Sequence, residues 1–467
     1  MIEFHFEITV LVCLLVSLFG IYKAAGTLNP GKVNVISAFY YLFLLQTFAG
    51  IALIVLGFDK HYTLNRLINR DETIEITFWV IMVAAVFIPF CIFLFEKLFR
   101  INAKNDYSTY LSQTVEVSNE ETIYKVIVIG TIIGAVLMIV WFMKIGYIPA
   151  LMLVHSPEQF DFALERSRIG NIYLIHPYIS NILILTCIPL LSYLAFTYAL
   201  VKKEKKWYIL FGILFIMSLL VKTYNFAKSP VVYHLVVFLM IYIYCKGGIS
   251  KKILAAFLLL SIAGIIFMYW ATGYEGAILD IYNGPIGRTL FSQLGALLCV
   301  FDAFPQFFGF LNGRSLSAPL LPLLGMNSDM HLRSGKLMMD FYGSEGVYDG
   351  GAGVLNSFFV GEAYANYGWK GVIFSFIWVS LMFVILFAVV LKLKKTPMMI
   401  TFFAAFTLKM PMATQGGFFD FIFSVDFIVT GIVFLMGYYL LERKNMPEII
   451  YKKIRKYQNK KNVKLKE

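Results

Sequence analysis

Charge is what this chain has least of: Asp, Glu, Lys and Arg make up 15% of its 467 residues, where a soluble domain carries roughly a quarter. Acids are scarcer than bases, 28 against 40, which leaves a formal net charge of +12. No Walker A loop, HExxH, GxSxG or CxxC motif occurs, which excludes ATP-driven transport by this chain alone and the common metallo- and serine-hydrolase designs. No Asp-x-Asp pair is present to hold a metal and a nucleotide-sugar diphosphate, which argues against a cytosolic nucleotide-sugar transferase. The five cysteines, Cys13, Cys91, Cys187, Cys245 and Cys299, sit singly in apolar stretches and read as packing residues, with neither a disulfide framework nor a metal site. The opening MIEFHFEITV has two acids and no Lys or Arg, unlike the basic start of a secretory signal, and reads as a retained helix. No repeat of 20–50 residues and no short alternating β-barrel segments are visible.

Long apolar runs are present instead, from end to end. About 20 apolar residues cross the ~30 Å hydrocarbon core as a helix. Eleven such spans are expected, near residues 8–22, 35–57, 74–95, 124–143, 176–199, 207–222, 230–245, 253–273, 371–391, 397–413 and 418–441. The expected fold is an all-α polytopic membrane protein. Its parts are a membrane bundle over 1–273, a large extracytoplasmic loop over 274–370, C-terminal helices over 371–441 and a basic tail over 442–467. Residues 288–311, with Asp302 and Pro305 in their middle, are expected to form an interfacial or re-entrant helix in preference to a twelfth span. Eleven spans with the tail inside put 26 of the 40 Lys and Arg on the inner side and 13 outside, with Lys409 inside a span. That bias sets the C-terminus in the cytoplasm and the N-terminus outside. It also makes the positive charge a membrane flank, with no call for nucleic acid.

The outer side keeps cations that the charge rule does not explain. Arg166 and Arg168 lie in ALERSRIGN, Lys228 precedes Ser229-Pro230 at a helix start, Arg288 opens the interfacial segment, and Arg314 lies in LNGRSLSAP. Taken singly, each reads as a solvated or headgroup-facing charge. Together they suit a diphosphate, because the planar guanidinium fork gives two parallel hydrogen bonds and helix N-termini favour anions. Lys409 is either paired with Asp420 or Asp426, placed in the outer half of the last span, or serves a ligand. Glu362, in FFVGEAYANYGWKGV, is either an acid at a helix start or a carboxylate able to take a proton from a hydroxyl. His331 is the alternative base.

The stretch GAGVLNSFFVGEAYANYGWKGVIFSF resembles the GE-x-Y-x-N-x-G-x-x-G signature of the Wzy-type O-antigen and capsule repeat-unit polymerases. NFAKSPVVYHL resembles a second recurring element of that family, and the span layout and large outer loop fit it. The resemblance implies a GT-C-like, metal-independent glycosyltransferase without a cofactor. Its substrate would be undecaprenyl-diphosphate-linked oligosaccharide at the outer face of the bacterial plasma membrane. It would work alongside a flippase and a chain-length regulator. It implies a diphosphate held by Arg166, Arg168, Lys228, Arg288, Arg314 and Lys409, with Glu362 or His331 as base. Of the family's Arg-x10-Gly spacings, Arg314 with Gly325 fits, while Cys299 and Pro177 stand where Arg288 and Arg166 would need glycine. The competing readings are an O-antigen ligase or other lipid-linked-glycan transferase, and a flippase for the same lipid.

Overall fold

The hydrocarbon core offers a backbone no water to bond to, so each apolar run must close its own hydrogen bonds. The computed structural model describes residues 4–154, 160–271, 276, 280–282, 284–343 and 353–442, and every regular element among them is helical. Ten helices are long and apolar enough to cross a membrane. The chain is therefore an all-α, multi-pass membrane protein. The basic tail from residue 443 onward and most of GVYDGGAGV lie outside the described residues.

In chain order the helices are α1 (Phe4–Ala25), α2 (Val35–Val55), α3 (Arg70–Leu98), the short α4 (Ala103–Ser112), α5 (Glu120–Ile145) and α6 (Phe162–Gly170). There follow α7 (Pro177–Lys202), α8 (Lys205–Lys222), α9 (Ser229–Lys246), α10 (Lys251–Ala271) and α11 (Pro285–Ala303). The last four are α12 (Ser334–Tyr342), α13 (Phe358–Lys392), α14 (Pro397–Ala413) and α15 (Val425–Glu442). Large apolar side chains stay exposed along α1 (Leu11, Leu15, Phe19), α5 (Ile129, Ile132, Val136) and α10 (Leu258, Leu259, Ile262), as lipid-facing surfaces require.

Bonds between the connections sort the helix ends into two faces. On the tail face the Ile249 amide donates to the Gly31 carbonyl (3.0 Å) and the Glu116 amide to the Lys395 carbonyl (2.9 Å). There the Lys395 ammonium donates to the carbonyls of Tyr110, Leu111 and Gln113, and Ser118 donates to the carbonyl of Glu442. On the loop face Arg66 donates to the Tyr342 carbonyl (2.8 Å), and the Phe358 amide to the Gln415 carbonyl (2.9 Å). Nine of the ten apolar helices, together with α8 and α14, run from one face to the other.

The tenth, α11, does not. Buried Asp302 near its C-terminal end accepts the amides of Ile68 and Asn69 (both 2.8 Å), the Thr73 hydroxyl (3.2 Å) and the Tyr342 hydroxyl (2.6 Å). Residues 68 and 69 belong to the loop-face connection between α2 and α3. At its other end Arg288 is near enough for its charge to lower the pKa of Lys228, in the loop-face turn between α8 and α9. Both ends of α11 are thus held on one face, and the helix lies along the loop-face end of α2, with Leu290 against Gly50 and Gly295 against Thr63. Four donors on one carboxylate explain how an acid sits in an apolar helix.

Two helix starts differ most from the sequence reading. Helix α13 begins at Phe358, well before the expected 371, so Glu362 stands in its second turn and the large loop ends earlier than residue 370. The helix kinks at Tyr367–Gly368, where Gly368 has φ +57°; only glycine takes that backbone without steric cost, and the kink splits the apolar run that was read as beginning after it. Helix α15 begins at Val425, not 418, so Asp420 is outside it, in a 3-10 turn. The Ser317 amide (2.9 Å) and hydroxyl (2.6 Å) both donate to that Asp420 carboxylate, which holds it in the loop.

Candidate functional site

Three elements distant in sequence bring cations together on the loop face. Lys228 precedes α9, whose first residues Ser229-Pro230 start the helix with a proline that needs no amide partner. Its ammonium lies 3.6 Å from the centre of the Tyr269 ring at the end of α10. Burial lowers the Lys228 pKa below the usual lysine range, and the positive charges of Arg288 on α11 and Arg166 on α6 lower it further. Both arginines are exposed and form no ion pair among the described residues. Like charges gathered on a half-buried lysine cost free energy that a bound anion recovers.

Arg168 does not join this group. It pairs with Glu165 one helical turn away (2.8 Å), lies over the Tyr147 ring and donates to the Ile145 carbonyl (3.3 Å). The Arg168 hydrogen bond holds the Glu165 carboxyl below its ordinary range. Two residues in sequence thus separate an unpaired arginine from one that ties α6 to the end of α5.

A second cluster forms where the large loop closes on the head of α13. Asn366, fully buried, accepts the Gly313 amide (2.9 Å) and donates to the Ser315 hydroxyl (2.5 Å) and the Glu362 carbonyl (2.8 Å). The amides of Leu311 and Asn312 donate to the carbonyls of Ala365 and Asn366 (2.9 and 3.1 Å). The loop carrying Arg314 is therefore fastened to α13 through residue 366, a member of the GE-x-Y-x-N signature. Glu362 is 4% exposed. One carboxylate oxygen accepts the Ser334 hydroxyl at the head of α12, and the other is buried with no hydrogen-bond partner. In this arrangement it grips α12 and faces no open cavity among those described. His331, three residues before Ser334, is half-buried, with Nδ1 2.8 Å from the Leu316 carbonyl. A carbonyl accepts only, so Nδ1 carries the proton and Nε2 is left as an acceptor. Arg333 donates to the Gly416 carbonyl (2.6 Å).

Lys409 belongs to a third place. It pairs with Asp426 in the first turn of α15 and donates to Thr430 (3.1 Å), so the helix-bridging pair is what the geometry shows. The pair borders a cavity of about 480 Å³, together with Lys222 and Thr186. Thr186 closes a π-helical turn in α7, Asn181–Thr186, and donates to Asp426 (2.6 Å). The structure thus gathers Arg166, Lys228 and Arg288, sets Arg314, His331 and Glu362 apart in the loop cluster, and leaves Arg168 and Lys409 in ion pairs. Sequence reasoning missed the roles of Asn366 and Ser334, though Asn366 stands within the quoted signature. It had no signal for Ser334, because nothing local shows which acid a loop serine meets.

No family model, curated protein or solved structure matches the chain.

Proposed function

We propose that the protein polymerises undecaprenyl-diphosphate-linked oligosaccharide units at the outer face of a bacterial plasma membrane. The observation that carries this reading is the grouping of Arg166, Lys228 and Arg288 on the loop face, both arginines exposed and in no ion pair among the described residues. The two-to-one excess of Lys and Arg on the tail side of the sequence assigns that face to the cytoplasm, and the loop face to the exterior.

The three cations hold the diphosphate of the donor lipid. As the bond from the anomeric carbon to the phosphate oxygen breaks, the electron pair leaves with undecaprenyl diphosphate, and fixed cations stabilise the charge that builds there. The acceptor sugar hydroxyl forms the new bond to the anomeric carbon and gives its proton to His331 Nε2. Glu362 positions α12, and with it His331, by gripping Ser334. Arg314, on the loop that Asn366 fastens, supplies a further charge near His331, whose neighbour Leu332 donates its amide to the Arg314 carbonyl (3.0 Å). A flippase that delivers the lipid-linked units and a chain-length regulator are the partners this reading implies.

A pH profile tests the reading. Only protonated Lys228 attracts the diphosphate, so kcat/KM in reconstituted vesicles falls as pH rises through the Lys228 pKa, which lies below the usual lysine range. In Arg288→Gln one depressing charge is gone. The alkaline fall then moves to higher pH while the rate on the plateau drops. An alkaline limb at the same pH in both proteins would remove Lys228 from substrate binding.

A further inference from the structure

The tail face carries a cavity of about 880 Å³ that the proposed reaction does not use. Amphipathic α4 forms one wall. It buries Tyr107, Tyr110 and Leu111 against the bundle and turns Lys104 and Ser108 outward, so it lies flat at the bundle's edge. The other walls are the connection after α1 and the end of α9. They approach closely at Gly26 and Gly247, which have no side chain to hold the backbones apart. A Cβ on Gly26 would meet the Lys104 backbone at 2.7 Å, and one on Gly247 the Leu111 carbonyl at 3.0 Å.

Lys32, Lys104 and Lys246 line this cavity from three separate elements, with Thr27, Ser108 and Gln113 between them. No Asp or Glu lines it. All three lysines are exposed and none forms an ion pair among the described residues. The nearest acid on α4, Asp106, is turned back to accept the Asn102 amide (2.8 Å) and is not part of the lining. Three other lysines of this face, by contrast, are neutralised: Lys202 and Lys206 by Glu120, Lys394 by Glu116. Three unopposed ammonium groups with hydroxyl and amide donors, in a concavity at the membrane surface, match a phosphate group bearing a polar head.

We propose that this cavity is a binding site for the phosphate of an anionic glycerophospholipid headgroup from the leaflet on the tail side. The site is independent of the glycosyl-transfer reading, since neither its residues nor its face take part in that chemistry. A lysine at an anionic surface contributes enough that removing all three weakens retention roughly a hundredfold.

The test uses the full chain in nanodiscs and in detergent, with bound lipid counted by native mass spectrometry. Phosphatidylglycerol is expected to remain on the wild type where phosphatidylcholine does not, and to be lost from Lys32→Gln/Lys104→Gln/Lys246→Gln. A charge-matched control, Lys203→Gln/Lys205→Gln/Lys251→Gln, removes exposed lysines of the same face outside the cavity and is expected to keep the lipid. Should the triple variant fail to fold, Lys104→Gln alone, with the lysine on the exposed side of α4, gives the same comparison. A parallel melting series with inorganic phosphate and glycerol phosphate distinguishes the source. Protection by the soluble ions, lost in the cavity variant, with no lipid retained, keeps the phosphate site and replaces a lipid by a free ligand. Equal lipid loss in the cavity variant and the control, or no loss in either with no protection by soluble phosphate, overturns the proposal.

Discussion

Arg288→Ala is expected to lower polymer formation on the order of a hundredfold at unchanged protein level, because a fixed charge at a developing anion is worth that much in rate. The structure gives the substitution little else to do. The Arg288 side chain is exposed and bonds to nothing among the described residues, so its removal orphans no partner and opens no cavity. Among the described residues its electrostatic effect is on Lys228, whose pKa it depresses; losing that pressure raises the lysine's charge, which favours anion binding and opposes the loss. A fall in rate therefore reports the missing contact with substrate. Arg288→Lys restores part of the rate, since an ammonium supplies the charge without the two-pronged fork. Arg168→Ala, by contrast, removes a partner of Glu165 and is expected to act on the stability of α6 far more than on rate. The measurement is the length distribution and amount of polymer at matched expression. A wild-type ladder from Arg288→Ala would contradict the role given to the cluster.

The second large effect falls on His331. A positioned general base contributes about a hundredfold or more, so His331→Ala should lose most of the rate. Alanine also gives up the bond to the Leu316 carbonyl, which makes His331→Asn the sharper variant. Its amide nitrogen can replace Nδ1 as the donor to Leu316, while nothing replaces Nε2. Both variants are expected to be equally slow, with KM close to the wild type, because binding resides elsewhere. Glu362→Gln separates the two candidate bases. A glutamine oxygen can still accept the Ser334 hydroxyl, so a gripping role survives in large part, whereas a proton-accepting role does not. The account expects Glu362→Gln to retain much more activity than Glu362→Ala and than His331→Asn. The reverse order would return the proton to Glu362 and require the loop to open around it.

Much of the membrane architecture was legible in the sequence because lipid imposes one rule on every apolar run. Asp302 marked α11 as unlike the other apolar helices, but its four donors come from segments far away in sequence. What was not legible depended on contacts between distant segments. The early start of α13 was hidden by polar Asn366, Tyr367 and Lys370, which make its first turns look like loop. They form helix because Phe358, Phe359 and Val360 are buried in the bundle and Asn366 satisfies loop amides. The separation of Arg166 from Arg168 was equally invisible, for it turns on which face of a short helix meets Tyr147.

The most direct measurement is a reaction with one enzyme and one substrate. Purified protein in vesicles is given undecaprenyl-diphosphate-linked repeat units, with chelator present, and both glycan and lipid products are resolved. The account predicts a ladder that grows by whole repeat units, with one undecaprenyl diphosphate released for every bond formed. Substrate that crosses the bilayer intact, or is consumed without a ladder, would contradict it.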